Sequence, residues 1–321
     1  MITLSDLDSA RSRLQSTTTR TRLIEFKLCD ADPRRLFLKP ENQQPIGAFK
    51  LRGAYNKIAS LSDEDRKHGV ISYSSGNHAQ GVAYAARALG VKSVIVMPNN
   101  APAIKREATA KLGAEIVLVG PGSEERKVKA EELATQHGYV IVPPYNDEKI
   151  IAGQGTIGLE ILEDIPEVEA ILSPVGGGGL ISGVAAAIKL TNPKIKVIGV
   201  EPELAADAQA SLRAGKIVQF PAEQVSRTLA DGLRTQSIGD INFEHICAYV
   251  DDIITVTEDE IREAMKLLAA NPQTIAEPSG AVAAAGFLFH RDQLPNTKLN
   301  VAIISGGNIE PSMLKSLATN R

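Results

Sequence analysis

The 321-residue chain has two cysteines, Cys29 and Cys247. They show no pairing pattern and no metal-ligand spacing. That excludes a disulfide framework and a thiolate metal centre, and it fits a reducing compartment. An excess of one charge is also lacking: 35 Lys and Arg stand against 38 Asp and Glu, for a net charge of −3 and a pI near 6.0. Without a basic surplus, nucleic acid and membrane surfaces are not expected partners. No uninterrupted apolar run approaches the roughly 18 residues that a membrane span needs. The N-terminal MITLSDLDSARSRLQ has no apolar centre of the signal-peptide kind and reads as a capped amphipathic helix. A cytoplasmic location is expected. No internal repeat, low-complexity tract or Pro/Ser-rich linker interrupts the chain.

What is present is alternation. Apolar residues make up 43% of the sequence, ordinary for a globular protein, and the length suits two domains. β-rich runs fall at Leu36–Glu41, Val70–Ser74, Ser93–Pro98, Glu115–Gly120, Tyr139–Pro143, Ala170–Val175, Lys196–Glu201, Asp252–Val256 and Leu299–Ile304. Several are near-continuous Val/Ile runs, as strands buried on both faces require. Helical patterns lie between them: Ala79–Leu89, Pro102–Leu112, Glu124–His137 after a Ser123 cap, Leu180–Leu190, and Glu258–Ala270. Thr257 and Glu260 have the spacing of a capping box. The order predicts an α/β fold with two parallel sheets flanked by helices. Residues 70–146 would form a small domain, and residues 1–69 with 147–321 a large one.

Three glycine-bearing polar turns follow buried runs. Gly176, Gly177, Gly178 and Gly179 stand between Ala170–Val175 and an apolar helix. Such a turn lets backbone N–H groups and a helix N-terminus cradle an anion such as phosphate. It is not the dinucleotide G-x-G-x-x-G, because Ile181 or Ser182 falls where the last glycine belongs. No P-loop occurs. Ser74-Ser75-Gly76-Asn77-His78 and Ser305-Gly306-Gly307-Asn308 are the other two turns, at the strand ends where α/β sheets place ligands. In Gly47-Ala48-Phe49-Lys50-Leu51-Arg52-Gly53 a lysine sits at a helix start, electrostatically the wrong end for a cation. A lysine able to form a Schiff base, with a loop able to hold phosphate, suggests pyridoxal phosphate.

The segments GAFKLRGAYN, SSGNHAQGVAYAA, PPYNDEKIIAGQGTIGLEI, GGGGLISG, ADGL, EPSGA and ISGGN resemble, in order and over nearly the whole chain, the fold-type-II pyridoxal-phosphate enzymes (tryptophan synthase β-like) of the serine/threonine dehydratase and serine racemase family. The resemblance implies that Lys50 forms the Schiff base. Phe49 and Asn77 would contact the cofactor ring, Asn77 at its phenolic oxygen, with Glu277 nearby. Gly176 to Gly179 would bind the phosphate, and Ser305 would face the pyridine nitrogen. Ser74, Ser75, Asn77 and His78 would receive the substrate carboxylate. Glu201, the Ala205 carbonyl and Asp207 stand where some relatives hold a divalent cation, so Mg²⁺, or Ca²⁺ or Mn²⁺, is expected.

The implied activity is an L-serine/L-threonine ammonia-lyase acting on a small β-hydroxy amino acid as a homodimer. Lys50 would abstract the Cα proton, and the hydroxyl would leave to give a 2-oxo acid and ammonia. Ser75, on the opposite cofactor face, could return a proton and make the chain an amino-acid racemase instead. One departure bears on substrate: Ala48 and Ile46 replace the usual serine and threonine of related dehydratases. That keeps threo-3-hydroxyaspartate dehydration open. A non-catalytic phosphate-ligand sensor is the reading from another class. His68, His137, His245 and His290 are expected at the surface or at helix ends. Asp231 reads as a turn residue or an interface residue, and Arg52 as a partner for acidic neighbours.

Overall fold

The structure, a computed structural model, describes the chain except for residues 29–31, 75, 102, 121 and 320–321. Two sheets organise the molecule. The larger one contains β1 (Ile24–Phe26), β2 (Arg35–Pro40), β7 (Ala170–Pro174), β8 (Lys196–Pro202), β9 (Asp252–Val256) and β10 (Leu299–Ile304), in the order β1-β2-β10-β7-β8-β9. The smaller contains β3 (Val70–Tyr73), β4 (Ser93–Pro98), β5 (Glu115–Val119) and β6 (Val140–Ile141), in the order β5-β4-β3-β6. All pairings are parallel except β1 with β2, an antiparallel edge. The apolar runs of β4 and β7 are buried along their whole length, whereas β5, at an edge, exposes Glu115 and Leu118.

Helices cover both sheets. α1 (Leu4–Leu14), α2 (Lys50–Ala59) and α3 (Asp63–His68) precede the small sheet. α4 (Asn77–Ala88), α5 (Ala103–Lys111) and α6 (Ser123–His137) alternate with its strands. α7 (Glu148–Asp164), α8 (Gly179–Thr191), α9 (Asp207–Ala214), α10 (Ala222–Val225), α11 (Asp240–Tyr249), α12 (Glu258–Leu268), α13 (Pro278–Phe289) and α14 (Pro311–Thr319) follow. The Thr3–Asp6 and Thr257–Glu260 capping boxes both form. α8 and α13, apolar on every side, lie in the interior. α13 packs against the large sheet in one core with Leu38, Leu172 and Val200.

Two expectations need correction, and one strand was not expected. The N-cap of α6 is Gly122, so Ser123 lies inside the helix rather than capping it. The β1 strand carries no sequence signal: three residues, half-buried, held by pairing to β2. His245 is not at the surface. It is fully buried in α11, where Nε2 accepts from the Ile2 N–H at 3.0 Å and Nδ1 therefore donates to the Ile241 carbonyl at 2.7 Å. His68 and His137 are exposed, and His290 caps the end of α13.

Candidate active site

Lys50 begins α2, and its backbone neighbours explain where it points. Ala48 bridges to Gly306, the Phe49 N–H donates to the Ser305 carbonyl at 3.0 Å, and the Gly307 N–H donates to the Gly47 carbonyl at 2.9 Å. The lysine turn and the last glycine turn are thus laced together at the ends of β2 and β10. Lys50 Nζ donates to the Pro144 carbonyl at 2.8 Å and lies 5.1 Å from the centre of the Phe49 ring. Burial alone pulls its pKa down to about 8. A sizeable fraction of the amine is then unprotonated near neutral pH, which is what a nucleophilic lysine needs.

The amine opens into a cavity of about 630 Å³. Phe49, Ser74, Asn77, His78, Glu277 and Ser305 line it, together with all four of Gly176, Gly177, Gly178 and Gly179. The glycine turn joins β7 to α8. Gly178 has φ +91, the left-handed region open to glycine at little cost. A Cβ on Gly177 would strike the Tyr145 ring, so the turn lies flat against that side chain. The result is a row of backbone N–H groups at a helix N-terminus, the geometry that favours a phosphate.

Asn77 is the first residue of α4. Its Nδ2 donates to Glu277 Oε1 at 2.6 Å, and its Oδ1 accepts from Asn308 Nδ2 at 2.7 Å. These two bonds fix the orientation of the amide and leave one Nδ2 hydrogen for the cavity. Burial raises the Glu277 carboxyl to about 7, and the Asp231 charge adds to the rise, against the Asn77 hydrogen bond. Asn308 also donates to the Ile46 carbonyl at 2.9 Å. Sequence reasoning gave Asn308 no role; its only signal was membership of the third glycine turn. Ser305 Oγ donates to the Ser279 carbonyl in a long bond of 3.3 Å, and a hydroxyl rotor can turn from it towards the cavity.

His78 behaves differently from the other turn residues. Its Nε2 meets the Val142 carbonyl at 3.0 Å, so that nitrogen carries the proton. Nδ1 is buried without a partner. Burial, then the Lys50 charge, push its pKa down to about 3, the Val142 carbonyl opposing them. The imidazole is neutral and turned to the backbone, which leaves the His78 N–H, in the first turn of α4, as its group for an anion. Ser74 Oγ accepts from the Gly76 N–H at 3.3 Å. Ser75 lies outside the described residues.

A second polar centre stands at the end of β8. Glu201 is fully buried and accepts from the Ala208 and Gln209 N–H groups at 3.0 and 2.8 Å. Asp207 is fully buried too, and neither of its oxygens has a hydrogen-bond partner. Burial raises Asp207 to about 7, and burial with the Asp207 charge drives Glu201 well above the usual carboxylate range. Ala205, also fully buried, lies between them in sequence. Two buried carboxylates with unused lone pairs fit a hard cation. Among the described residues no group of three or more His, Cys, Asp or Glu is placed to hold a metal, so any ion here would also rely on carbonyl oxygen and water. No helix among the described residues is long and apolar enough to cross a membrane.

The chain is similar to known proteins over almost its whole length. The family described as pyridoxal-phosphate dependent enzyme matches residues 14–306. An L-threonine ammonia-lyase of Thermotoga maritima is 46% identical over 315 residues, covering 98% of this chain and 77% of its own. An L-threo-3-hydroxyaspartate ammonia-lyase of Saccharomyces cerevisiae is 39% identical over 320 residues, covering 99% and 97%. The solved structure of maize serine racemase superposes with a TM-score of 0.92 at 38% identity, covering 98% of this chain and 96% of that one.

Proposed function

Because the chain belongs to the pyridoxal-phosphate-dependent enzyme family, we propose that it is a fold-type-II L-serine/L-threonine ammonia-lyase that converts a small β-hydroxy amino acid to a 2-oxo acid and ammonia. The observation that carries the reading is a buried amine, Lys50, in the same cavity as the four-glycine turn. The cofactor, when bound, supplies the electron sink that makes the substrate Cα proton removable. Gly176 to Gly179 would hold its phosphate, and Phe49, Asn77 and Ser305 its ring, with Glu277 fixing Asn77. Lys50 would hold the cofactor covalently, be freed when the substrate amine takes its place, and then take the proton from Cα. Ser74, Ser75 and the N–H groups at the start of α4 would hold the substrate carboxylate. Glu201, Asp207 and the Ala205 carbonyl would bind a divalent cation such as Mg²⁺. Residues 70–146 would act as a small domain closing on the large one, in a homodimer.

Two related readings rest on the same cavity. With Ser75 as a proton donor opposite Lys50 the chain would racemise serine; with a β-carboxylate substrate it would dehydrate threo-3-hydroxyaspartate, the activity named for the yeast relative. A panel of β-hydroxy amino acids, assayed for 2-oxo acid release and by chiral analysis of recovered substrate, separates the three. Wild-type protein should show Schiff-base absorbance, and borohydride should fix the cofactor on Lys50. Lys50→Ala should abolish both and lower turnover by at least about 10³-fold. A colourless wild-type protein, unmodified at Lys50 after added cofactor, would sink the reading.

A further inference from the structure

Beneath the first turn of α2 lies a buried ionic cluster that no step of the proposed reaction uses. Arg52 is 1% exposed, and every N–H of its guanidinium group has an acceptor within reach. Its Nε and Nη2 meet Glu41 at 2.8 and 2.9 Å, and its Nη1 and Nη2 meet Glu160 at 2.7 and 3.0 Å. Nη1 also donates to Thr156 at 3.1 Å, and Nη2 to the Thr19 carbonyl at 3.3 Å. Lys39, fully buried on β2, adds a second cation, donating to Glu160 at 2.5 Å and to the Thr21 carbonyl at 2.7 Å. Two cations and two carboxylates make a neutral quartet. The pair of two-point contacts, one to the segment after β2 and one to α7, can be met by a guanidinium in only one orientation.

The placement of that quartet matters. Arg52 is two residues beyond Lys50, and successive helical residues are turned by about 100°, so the two side chains leave α2 on opposite sides, about 200° apart. The other contacts of this turn include a hydrogen bond from the Gly53 N–H to Gln154 Oε1 at 3.2 Å, the Leu51 side chain in the core, and close glycine approaches. α2 crosses α7 with backbones touching: a Cβ on Gly153 would come within 2.7 Å of Gly53 Cα and of the Arg52 carbonyl. α4 lies against Lys50 through Gly81, where a Cβ would come within 3.2 Å of the Lys50 carbonyl. Glycine contacts permit close approach but do not lock rotation about the helix axis; the bidentate pairs add a two-point directional restraint on the side away from the cavity.

We propose that Arg52 is a positioning residue for Lys50: clamped between Glu41 and Glu160, it sets the roll of α2 so that the amine on the opposite side faces the cavity. The inference rests on the reading of Lys50 given above. A buried ion pair is poor evidence of stabilisation in itself, because desolvation offsets most of the attraction. Its geometric selectivity is the better reason for its presence, and that separates a positioning role from a merely structural one.

The test compares holoenzyme forms of Arg52→Lys, Glu41→Gln and Lys39→Met. Arg52→Lys keeps the charge but loses the fork. Glu41→Gln keeps the shape and weakens one clamp. Lys39→Met removes a cation that shares Glu160 with Arg52 but leaves both two-point contacts of Arg52 in place. All three should lower Tm. In Arg52→Lys and Glu41→Gln, the pH midpoint of the Schiff-base absorbance should move by about half a unit or more, and kcat should fall on the order of tenfold with KM little changed. Lys39→Met should keep the wild-type midpoint and kcat despite its lower Tm. The proposal is overturned if the midpoint is wild-type in Arg52→Lys, or if all three variants lose kcat in proportion to Tm. Absence of the Schiff-base band from the wild-type protein is a different result and defeats the reading of Lys50 itself.

Discussion

At the residue scale, the buried carboxylate pair Glu201 and Asp207 gives the sharpest pH signature. Folding raises both pKa values, Asp207 to about 7. An acid raised on folding holds its proton in the folded state after the unfolded chain has lost it. Its stabilising contribution is therefore complete below the unfolded value and fades as pH climbs through the folded one. Without divalent cations, Tm should fall as pH rises from about 5 to 8; if the proposed cation site is real, Mg²⁺ would bind the deprotonated pair and the fall should be reduced or reversed. Asp207→Asn should make the cation-free profile shallower, leaving the part that burial of Glu201 contributes, and remove the response to Mg²⁺. Calorimetric melts at several pH values, with Mg²⁺ or a chelator, decide this, and an identical profile in the variant refutes it. The residues were unequally legible. Lys50 and the glycine turn are marked by types that local structure alone would not favour. Arg52 reads as a partner for acidic neighbours, which Glu41 and Glu160 are, but the sequence does not say which, since Glu160 is 108 positions away. His245 looks like a surface side chain until Ile2, 243 positions distant, is brought against it.

At the scale of elements, the turn between β7 and α8 can be separated into shape and ligand. Gly178→Ala forces a side chain into φ +91 and brings a Cβ to 2.9 Å from Asn242 Cβ. A loss of about 1–3 kcal/mol is expected. Gly90→Ala imposes a similar backbone penalty at φ +67 with open space around it, far from the cavity lining. Both should lower the denaturant midpoint, but only Gly178→Ala should raise the half-saturation for pyridoxal phosphate, by about tenfold or more as N–H groups leave their positions. Equal cofactor affinity in the two variants would show that the turn holds no phosphate. The buried parallel strands were the easiest elements to read, since burial on both faces leaves a continuous apolar run. β1 was unreadable, because three residues at an edge take their conformation from β2 rather than from their own pattern. The start of α6 shows the limit of cap rules: Ser123 has the preferred side chain, yet Gly122 occupies the cap.

For the molecule as a whole, the two-sheet division follows from the alternation of β and helical patterns, whereas the contacts across the cavity come only with the fold. One such contact crosses its mouth. Lys105, on α5 beside the small sheet, donates to Asp231, in the turn at Asp231–Leu233 beside the large sheet, at 2.6 Å. The pair is partly exposed, at 24% and 43%, so its worth to folding is at most about 1 kcal/mol. On the proposed closure of residues 70–146, that amount weighs on the cleft, because it is set against the free energy of opening rather than of unfolding. If Lys105–Asp231 favours the closed form by up to about 1 kcal/mol, its loss lowers the population able to retain a small amino acid by up to about fivefold. Asp231→Asn should therefore leave Tm almost unchanged, while KM rises severalfold at low salt. Added salt should raise KM in the wild-type enzyme, by screening the exposed pair, and have little effect in the variant. Removing the Asp231 charge should also let Glu277 fall from about 7 towards the ordinary range. The pH dependence of the cofactor absorbance then provides an independent reading: a shift there with unchanged KM would mean that Asp231 acts on Glu277 electrostatically and does not hold the cleft shut.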